Sequence, residues 1–338
     1  MEGKKVVFFE VEPWEQDFFR HHLESKADFT FYPHRLTEAN LEEAEAADVL
    51  VTFIYSDLSS KVLERLRSLK GIVTMSVGTD HIDLEETMRR NIVVSNVPNY
   101  GPQTVAEHTI ALLLALSRNI VPSVERTRMG EYDYTGLTGW DLMGKTIGII
   151  GTGKIGSHVA QIAQGLGMKI IGYDPHPNSQ VSQKTGLEYM SLEQLLNRSD
   201  VVTIHIPLIP ETRHMLSQKE FAQMKKGVVF LNTARGGLVD PSALLEAINN
   251  GTVKQAGIDV LDDEGLLKEE KQFFSRYFQL KDYQTALADH ALMHDPRVLV
   301  TPHNAFNSKE SLHNILKTAV EDIEGILTSD PVNVVDKK

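Results

Sequence analysis

Thr146-Ile147-Gly148-Ile149-Ile150-Gly151-Thr152-Gly153-Lys154-Ile155-Gly156 is the stretch on which the fold turns. An apolar strand, 146–150, runs into a G-x-G-x-x-G turn, and helical periodicity follows over 154–166. A second apolar strand, 169–173, ends at Asp174, 18 residues past Gly156. Each part has a physical task. Gly151 permits the tight turn, Gly153 lets the backbone approach a pyrophosphate, and Gly156 lets helix and strand pack closely. The helix start offers free N–H groups and positive potential to phosphates. Asp174 is placed to accept from ribose hydroxyls. A 2′-phosphate would meet like charge there, and Pro175 supplies no compensating arginine, so NAD is expected over NADP, with His176 the nearest help for NADP.

Outward from this unit, βα alternation continues in both directions. Downstream, apolar runs at 201–206, 228–232, 255–260 and 298–301 read as buried strands, with helices at 192–196, 218–224 and 241–249. Pro241 suits a first helical turn with Asp240 as its cap. Upstream, runs at 6–11, 29–32, 49–55, 72–77 and 92–97 form a separate series, with helices at 14–25 and 61–69. Such alternation gives parallel sheets covered by helices, so the class is α/β with two doubly wound parallel-sheet domains. A long helix at 103–118, apolar nearly all round, is expected to be buried between two masses of protein. The last helix, 308–328, follows the second series and is expected to return to the first domain. The second domain is then an insertion, 102–303, into a domain built from 1–101 and 304–338.

Composition narrows the partners. Hydrophobic content is 41%, charge 24%, and the formal net charge is −12, which argues against a nucleic-acid partner and an acidic membrane surface. The absence of cysteine removes disulfides, thiolate metal sites and cysteine nucleophiles. The apolar run near the N-terminus is broken by Glu10 and Glu12, a strand rather than a signal peptide, and the apolar run 110–116 is too short for a bilayer. A cytoplasmic protein with no membrane partner is the expectation.

Three segments put distinctive polar residues just past an apolar strand, the edge where open parallel sheets bind ligands. In Asn232-Thr233-Ala234-Arg235-Gly236-Gly237, a guanidinium flanked by glycines either forks onto a carboxylate or makes a surface ion pair. In Gly257-Ile258-Asp259-Val260-Leu261-Asp262-Asp263-Glu264, four acids form either a metal site or a solvated loop. In Thr301-Pro302-His303-Asn304-Ala305-Phe306, His303 is the best of thirteen histidines for chemistry, against a structural role for the ring.

These segments together resemble the D-isomer-specific 2-hydroxyacid dehydrogenases. The likeness extends through Val77-Gly78-Thr79-Asp80-His81-Ile82-Asp83, Val97-Pro98-Asn99-Tyr100, Val105-Ala106-Glu107-His108, Gly144-Lys145-Thr146 and His205-Ile206-Pro207-Leu208 with Pro210-Glu211-Thr212, nearly the whole chain in order. The resemblance implies a Rossmann NAD-binding domain inserted into a flavodoxin-like substrate domain, and hydride transfer between NAD(H) and a small 2-oxo acid/D-2-hydroxy acid pair. It makes His303 the general acid/base, Glu264 its orienting carboxylate and Arg235 the carboxylate anchor. It puts the Val77 and Gly78 amides on the same carboxylate, Lys154 and Ile155 on the pyrophosphate, and Asp174 on the ribose. Ile206, Pro207 and Thr212 then lie along the nucleotide, with Thr233, Ala234 and Asp259 near the nicotinamide and Val105 against its other face.

Thirty-nine residues separate Glu264 from His303, a long segment that resembles the D-lactate dehydrogenase branch. Tyr55, Tyr100 and Phe306 are candidate walls of an apolar pocket for pyruvate or a larger aliphatic 2-oxo acid. A glycerate- or phosphoglycerate-type dehydrogenase shares these motifs, and so does a non-catalytic NAD-sensing corepressor-like protein; Arg235, Glu264 and His303 together speak against the latter. His290 and His294 stand at helical spacing without a third ligand, so no metal is expected. His108 reads as a hydrogen-bonded interior residue, and His205 as either packing or functional. The polar stretch 118–140, with three glycines, is too irregular for a core element; in relatives the comparable region pairs subunits, which implies a homodimer.

Overall fold

The computed structural model describes residues 3–24, 26–262 and 280–335, and these divide into two compact units. One comprises Met1–Gly101 with Asn307–Lys338, the other Pro102–Phe306.

In the first unit β1 (Lys5–Phe8), β2 (Asp28–Phe31), β3 (Val49–Thr52), β4 (Gly71–Thr74) and β5 (Val93–Asn96) form one sheet in the order β2-β1-β3-β4-β5. All the pairings are parallel. Phe8, Val49, Leu50, Val51, Ile72 and Val73 are buried, as continuous apolar runs covered on both faces must be. The helix Lys309–Thr328 returns to this sheet, and Gly71 is what lets it in: a Cβ there would lie 2.6 Å from Ile326 Cγ2.

β1, β3 and β4 stop three residues short of their apolar runs, and β2 and β5 one. After β1 the cause is visible, since Glu10 sits at φ +63°, the left-handed region that L-residues avoid. Its carboxylate accepts from the amides of Phe53, Tyr55 and Ser56 at 2.9–3.2 Å and from Ser56 Oγ at 2.6 Å, tying the β1 and β3 ends together. The region 61–69 is helical only over Ser60–Leu63.

In the second unit β6 (Thr146–Ile150), β7 (Lys169–Tyr173), β8 (Glu188–Tyr189), β9 (Val201–Ile204), β10 (Val228–Asn232), β11 (Val253–Ile258) and β12 (Val298–Val300) pair in the order β12-β11-β10-β9-β6-β7-β8, again in parallel. Strand order reverses between β6 and β9, the switch point of a doubly wound dinucleotide-binding sheet. The two-residue β8 is too short to announce itself in sequence. Asp240 caps its helix as its position suggested, accepting from Ser242 and Ala243 amides at 2.9 and 3.3 Å.

One expectation needs correction. The helix Pro102–Ser117 buries Val105, Ala106, Ile110, Leu112, Leu113 and Leu116, but Glu107, Ala111 and Leu114 form an exposed stripe along its opposite side. Its all-round apolarity does not mean all-round burial within this chain. The stretch after it is no core element, as expected, but it is not irregular throughout: Ile120–Arg128 is helical, with none of its residues buried.

Candidate functional site

The glycine turn takes the form its sequence requires. Gly151 has φ +89°, and a Cβ on it would lie 2.5 Å from the His205 carbonyl oxygen. A Cβ on Gly156 would fall 2.0 Å from the Gly151 carbonyl oxygen. Gly153 has nothing within 4 Å of its Cβ position, so its backbone is open to a ligand. It is the N-cap of the helix Lys154–Gly165, whose first amides point to the same place. A dinucleotide pyrophosphate fits this turn, since the two closed glycines shape it and the open one admits the phosphate.

Asp174, at the carboxyl end of the neighbouring β7, is already tied to the turn. One oxygen accepts from Thr152 N (2.8 Å) and Oγ1 (3.1 Å), the other from His176 N (2.8 Å). Thr152 Oγ1 lies 2.7 Å from Tyr189 Oη. These donors fix the direction of the carboxylate before any ribose arrives. Tyr189 and Thr152 were not singled out from the sequence; a hydroxyl in the x of G-x-G is the only signal that could have suggested the link.

On the other side of the switch point β9 is followed by His205 and Ile206. His205 is partly buried, and burial pushes its imidazolium down to about 3, so the ring is neutral. Thr203 Oγ1 sits 2.9 Å from its Nε2, and Nδ1 has no partner among the described residues. Packing is the role its surroundings support. Pro207 and Thr212 lie in the turn that follows, where Thr212 Oγ1 bonds the Pro207 carbonyl at 2.8 Å.

The three polar segments fall at the carboxyl ends of β10, β11 and β12, which are neighbours in the sheet. After β10, Asn232 braces the turn by accepting from Ala234 N (3.0 Å) and donating to the Arg235 carbonyl (2.9 Å). Arg235 donates from one guanidinium nitrogen to the Ala234 carbonyl at 2.8 Å. Gly236 lies so close to the β11 end that a Cβ would be 2.0 Å from the Leu261 carbonyl carbon. Thr233 is buried, and its hydroxyl is 2.7 Å from Thr109 Oγ1 on the Val105 helix.

Asp259, after β11, is not a solvated acid, and among the described residues it belongs to no group of three or more metal-ligating side chains. Its side chain is buried. Oδ1 accepts from Thr301 Oγ1 (2.5 Å) and Asn304 N (3.0 Å), and Oδ2 from Ala305 N (2.8 Å). Its carbonyl accepts from His303 N at 2.8 Å. His303 itself stands at φ +51°, a conformation that costs an L-residue about 1 kcal/mol and that this network holds in place.

His108 joins from the long helix, 3.1 Å from Thr301 Oγ1 and 3.5 Å from Asp259 Oδ1. It is a hydrogen-bonded residue, as expected, though only partly buried. Its place behind the His303 loop was not read; the signal was that it follows Val105 by one helical turn. Asp262 pairs with His214 at 2.8 Å and Arg213 at 3.3 Å. Asp263 and Glu264 lie outside the described residues. Val105 is buried, and Phe306 closes the second unit after the His303 loop.

In the first unit Tyr55, Val77, Gly78 and Tyr100 all follow the carboxyl ends of strands. Val77 is half exposed, and the amides of Val77 and Gly78 have no hydrogen-bond partner among the described residues. Tyr100 offers its carbonyl to Asn314 Nδ2 at 3.0 Å.

Residues 110–305 match the family model described as D-isomer specific 2-hydroxyacid dehydrogenase, NAD binding domain. The chain is 34% identical over 326 residues to a D-lactate dehydrogenase of Escherichia coli, covering 95% of this chain and 96% of that protein. It is likewise 34% identical to a glycerate dehydrogenase of Methylorubrum extorquens over 98% of its own length and 99% of the relative's. Among solved structures, D-lactate dehydrogenase from Aquifex aeolicus complexed with NAD and lactic acid superposes with a TM-score of 0.87 at 32% identity, covering 96% of each chain. The protein belongs to the D-isomer-specific 2-hydroxyacid dehydrogenase family, and its second unit carries that family's NAD-binding domain.

Proposed function

We propose that this protein is an NAD-dependent dehydrogenase that interconverts a small 2-oxo acid and its D-2-hydroxy acid, a pair of the pyruvate/D-lactate kind. One observation carries the reading: three adjacent strand ends beside a dinucleotide turn bear Arg235, Asp259 and His303, with the His303 backbone pinned to Asp259. A protein that only senses NAD has no use for an imidazole held at that cost.

Gly151, Gly153 and Gly156 with the Lys154 and Ile155 amides hold the pyrophosphate, and Asp174 the ribose. Ile206, Pro207 and Thr212 flank the nucleotide, while Val105, Thr233, Ala234 and Asp259 surround the nicotinamide. Bound NAD supplies the hydride acceptor, or as NADH the donor. Arg235 takes the substrate carboxylate with two parallel N–H bonds, which a lysine cannot reproduce. The Val77 and Gly78 amides complete that cradle. His303 removes the hydroxyl proton as hydride leaves C2, and returns it to the carbonyl oxygen in reduction. Glu264 orients the ring through its other nitrogen. Tyr55, Tyr100 and Phe306 bound the side-chain pocket, which suits a methyl or a larger aliphatic group.

The homodimer has its own support. Ile120, Val121 and Val124 are exposed on a helix that buries nothing, and Met129, Tyr132 and Tyr134 beyond it are 75–96% exposed. A nine-residue helix with no packed face does not hold itself in water, so a second copy covering it explains both facts. No helix among the described residues is long and apolar enough to cross a membrane. We place the dimer in the cytoplasm, where its cofactor is kept.

The test is oxidation of NADH by the protein with a panel of 2-oxo acids. His303→Gln is expected to lose turnover by about 10²- to 10⁴-fold with NADH binding intact, and Arg235→Lys chiefly to raise KM. Tight NADH binding with no substrate turned over, or near-normal rates in His303→Gln, overturns the reading.

A further inference from the structure

The amides of Val77 and Gly78 are useful as a carboxylate cradle only if something fixes their direction, because they stand in a half-exposed loop. The Gly78 N–H belongs to the same peptide unit as the Val77 carbonyl. That peptide is trans, so the two groups point in opposite directions and orienting one orients the other. Asn96 Nδ2 donates to the Val77 carbonyl at 2.7 Å. It therefore aims the Gly78 N–H away from itself, and by polarising the shared amide it makes that N–H a better donor. The next peptide is held too: Ser76 Oγ, itself 2.8 Å from Thr74 Oγ1, donates to the Gly78 carbonyl at 2.7 Å.

Asn96 is in turn held by the far end of the chain. Its backbone N–H donates to the Asn333 carbonyl at 3.2 Å. Around that contact the C-terminal segment lies along β5 as a short antiparallel strap: Ser95 faces Val334, Ser95 Oγ donates to the Val332 carbonyl at 2.7 Å, and Val335 N to the Val94 carbonyl at 2.8 Å. Asn333, at φ +49°, points its Nδ2 back into the helix Lys309–Thr328, where it donates to the buried Asp322 Oδ1 at 2.8 Å. The strap is thus clasped to the helix that covers this sheet and bonded to the strand that carries Asn96.

We propose that Asn96 is a positioning residue for the substrate carboxylate, acting through the Val77–Gly78 peptide, and that the C-terminal segment 332–335, clasped by Asn333 to Asp322, is the strap that holds Asn96 in register. This rests on the dehydrogenase reading for what the cradle binds. The link from Asn96 to the peptide stands without it.

Two variants and two readouts test the inference. Asn96→Ala removes the side-chain donor and keeps the backbone bond to the strap. It is expected to raise KM for pyruvate about tenfold while kcat stays within about threefold and NADH affinity is unchanged. Asn333→Ala opens the clasp and should raise KM in the same direction by a smaller factor. The second readout needs no substrate: the amide nitrogen chemical shift of Gly78, in glycine-labelled protein, should move upfield in Asn96→Ala as the preceding carbonyl loses its donor. A folded Asn96→Ala protein with wild-type KM overturns the proposal, and so does a loss of kcat and thermal stability with KM unmoved. If the wild type itself turns over no 2-oxo acid, the dehydrogenase reading has failed, and the Gly78 shift alone decides: unchanged, it overturns the role of Asn96.

Discussion

Replacing Asp259 by Asn tests whether the His303 loop is held by the network described above. The carboxylate accepts from Thr301 Oγ1, Asn304 N and Ala305 N, so each oxygen faces at least one donor. An amide of the same shape has one oxygen. In either orientation its NH2 meets a donor that it cannot satisfy, and the remaining bonds lose their charge. A hydrogen bond to a charged group contributes about 1.5–3 kcal/mol, and stranding a buried donor costs about 1–3 kcal/mol, so the change should destabilise the second unit by about 3 kcal/mol. For a unit near 200 residues that is a fall in Tm of about 6–12 °C. His303 keeps its backbone bond to the Asp259 carbonyl, but its left-handed conformation loses the clamp on the next two residues. A relaxation of about 1 Å at an acid/base group costs on the order of 10²-fold in rate, so kcat should fall far more than NADH affinity. Calorimetry with NADH titration and steady-state kinetics measures all three. A variant that melts within about 2 °C of wild type and keeps kcat within about twofold would refute the argument, since the predicted penalties would then be absent.

Asp174→Ala should lose most discrimination against NADPH, because the like charge facing a 2′-phosphate is gone; the ratio of kcat/KM for NADH and NADPH measures it, and an unchanged ratio would move the selectivity elsewhere. Burial pushes the Asp322 carboxyl up from 3.8 to about 7. A group raised on folding contributes stability that is complete below about pH 4 and is lost as pH rises through about 7, up to about 4 kcal/mol in all. Glu10, also raised by burial, adds a term of the same sign. Asp322→Asn, which still offers an oxygen to Asn333, should therefore be more stable than wild type at pH 8 and lose part of the pH dependence. Equal melting temperatures for the two proteins across pH 5–8 would contradict this.

Much of the fold was legible because parallel strands buried on both faces read as unbroken apolar runs, as β3, β4, β9 and β10 do. What escaped were features with no pattern of their own. The two residues of β8 are too few for a period. The helix Ile120–Arg128 buries no side chain, and its short apolar stripe of Ile120, Val121 and Val124 is set in a polar, glycine-containing stretch that reads as loop. Helix Pro102–Ser117 failed in the opposite sense: Leu114 and Ala111 look like core in sequence and face outward in this chain, beside the exposed Ile120 and Val121. Apolarity states that a surface must be covered, not which molecule covers it.

The site shows the same division between residues that carry a motif and residues that aim it. Arg235, His303 and Asp174 sit beside glycines, prolines and strand ends that advertise them. Their supports do not. Thr301 and Asp259 are 42 residues apart, His108 and Thr301 are 193 apart, and Ser95 meets Val332 across 237. No local spacing encodes such pairs; they exist only after parallel strands have brought their carboxyl ends to one edge. The two edges solve one problem in the same way. On the proposed reading each needs a loop that is exposed enough to meet substrate and still rigid, and exposed loops are not rigid by burial. In the second unit a buried carboxylate collects the amides of the His303 loop. In the first, Glu10 collects those of the Tyr55 loop, and Asn96 with Ser76 fixes two successive peptides of the Val77 loop. These buried polar groups therefore set loop geometry, and a substitution at one of them should disturb binding or rate as well as the fold.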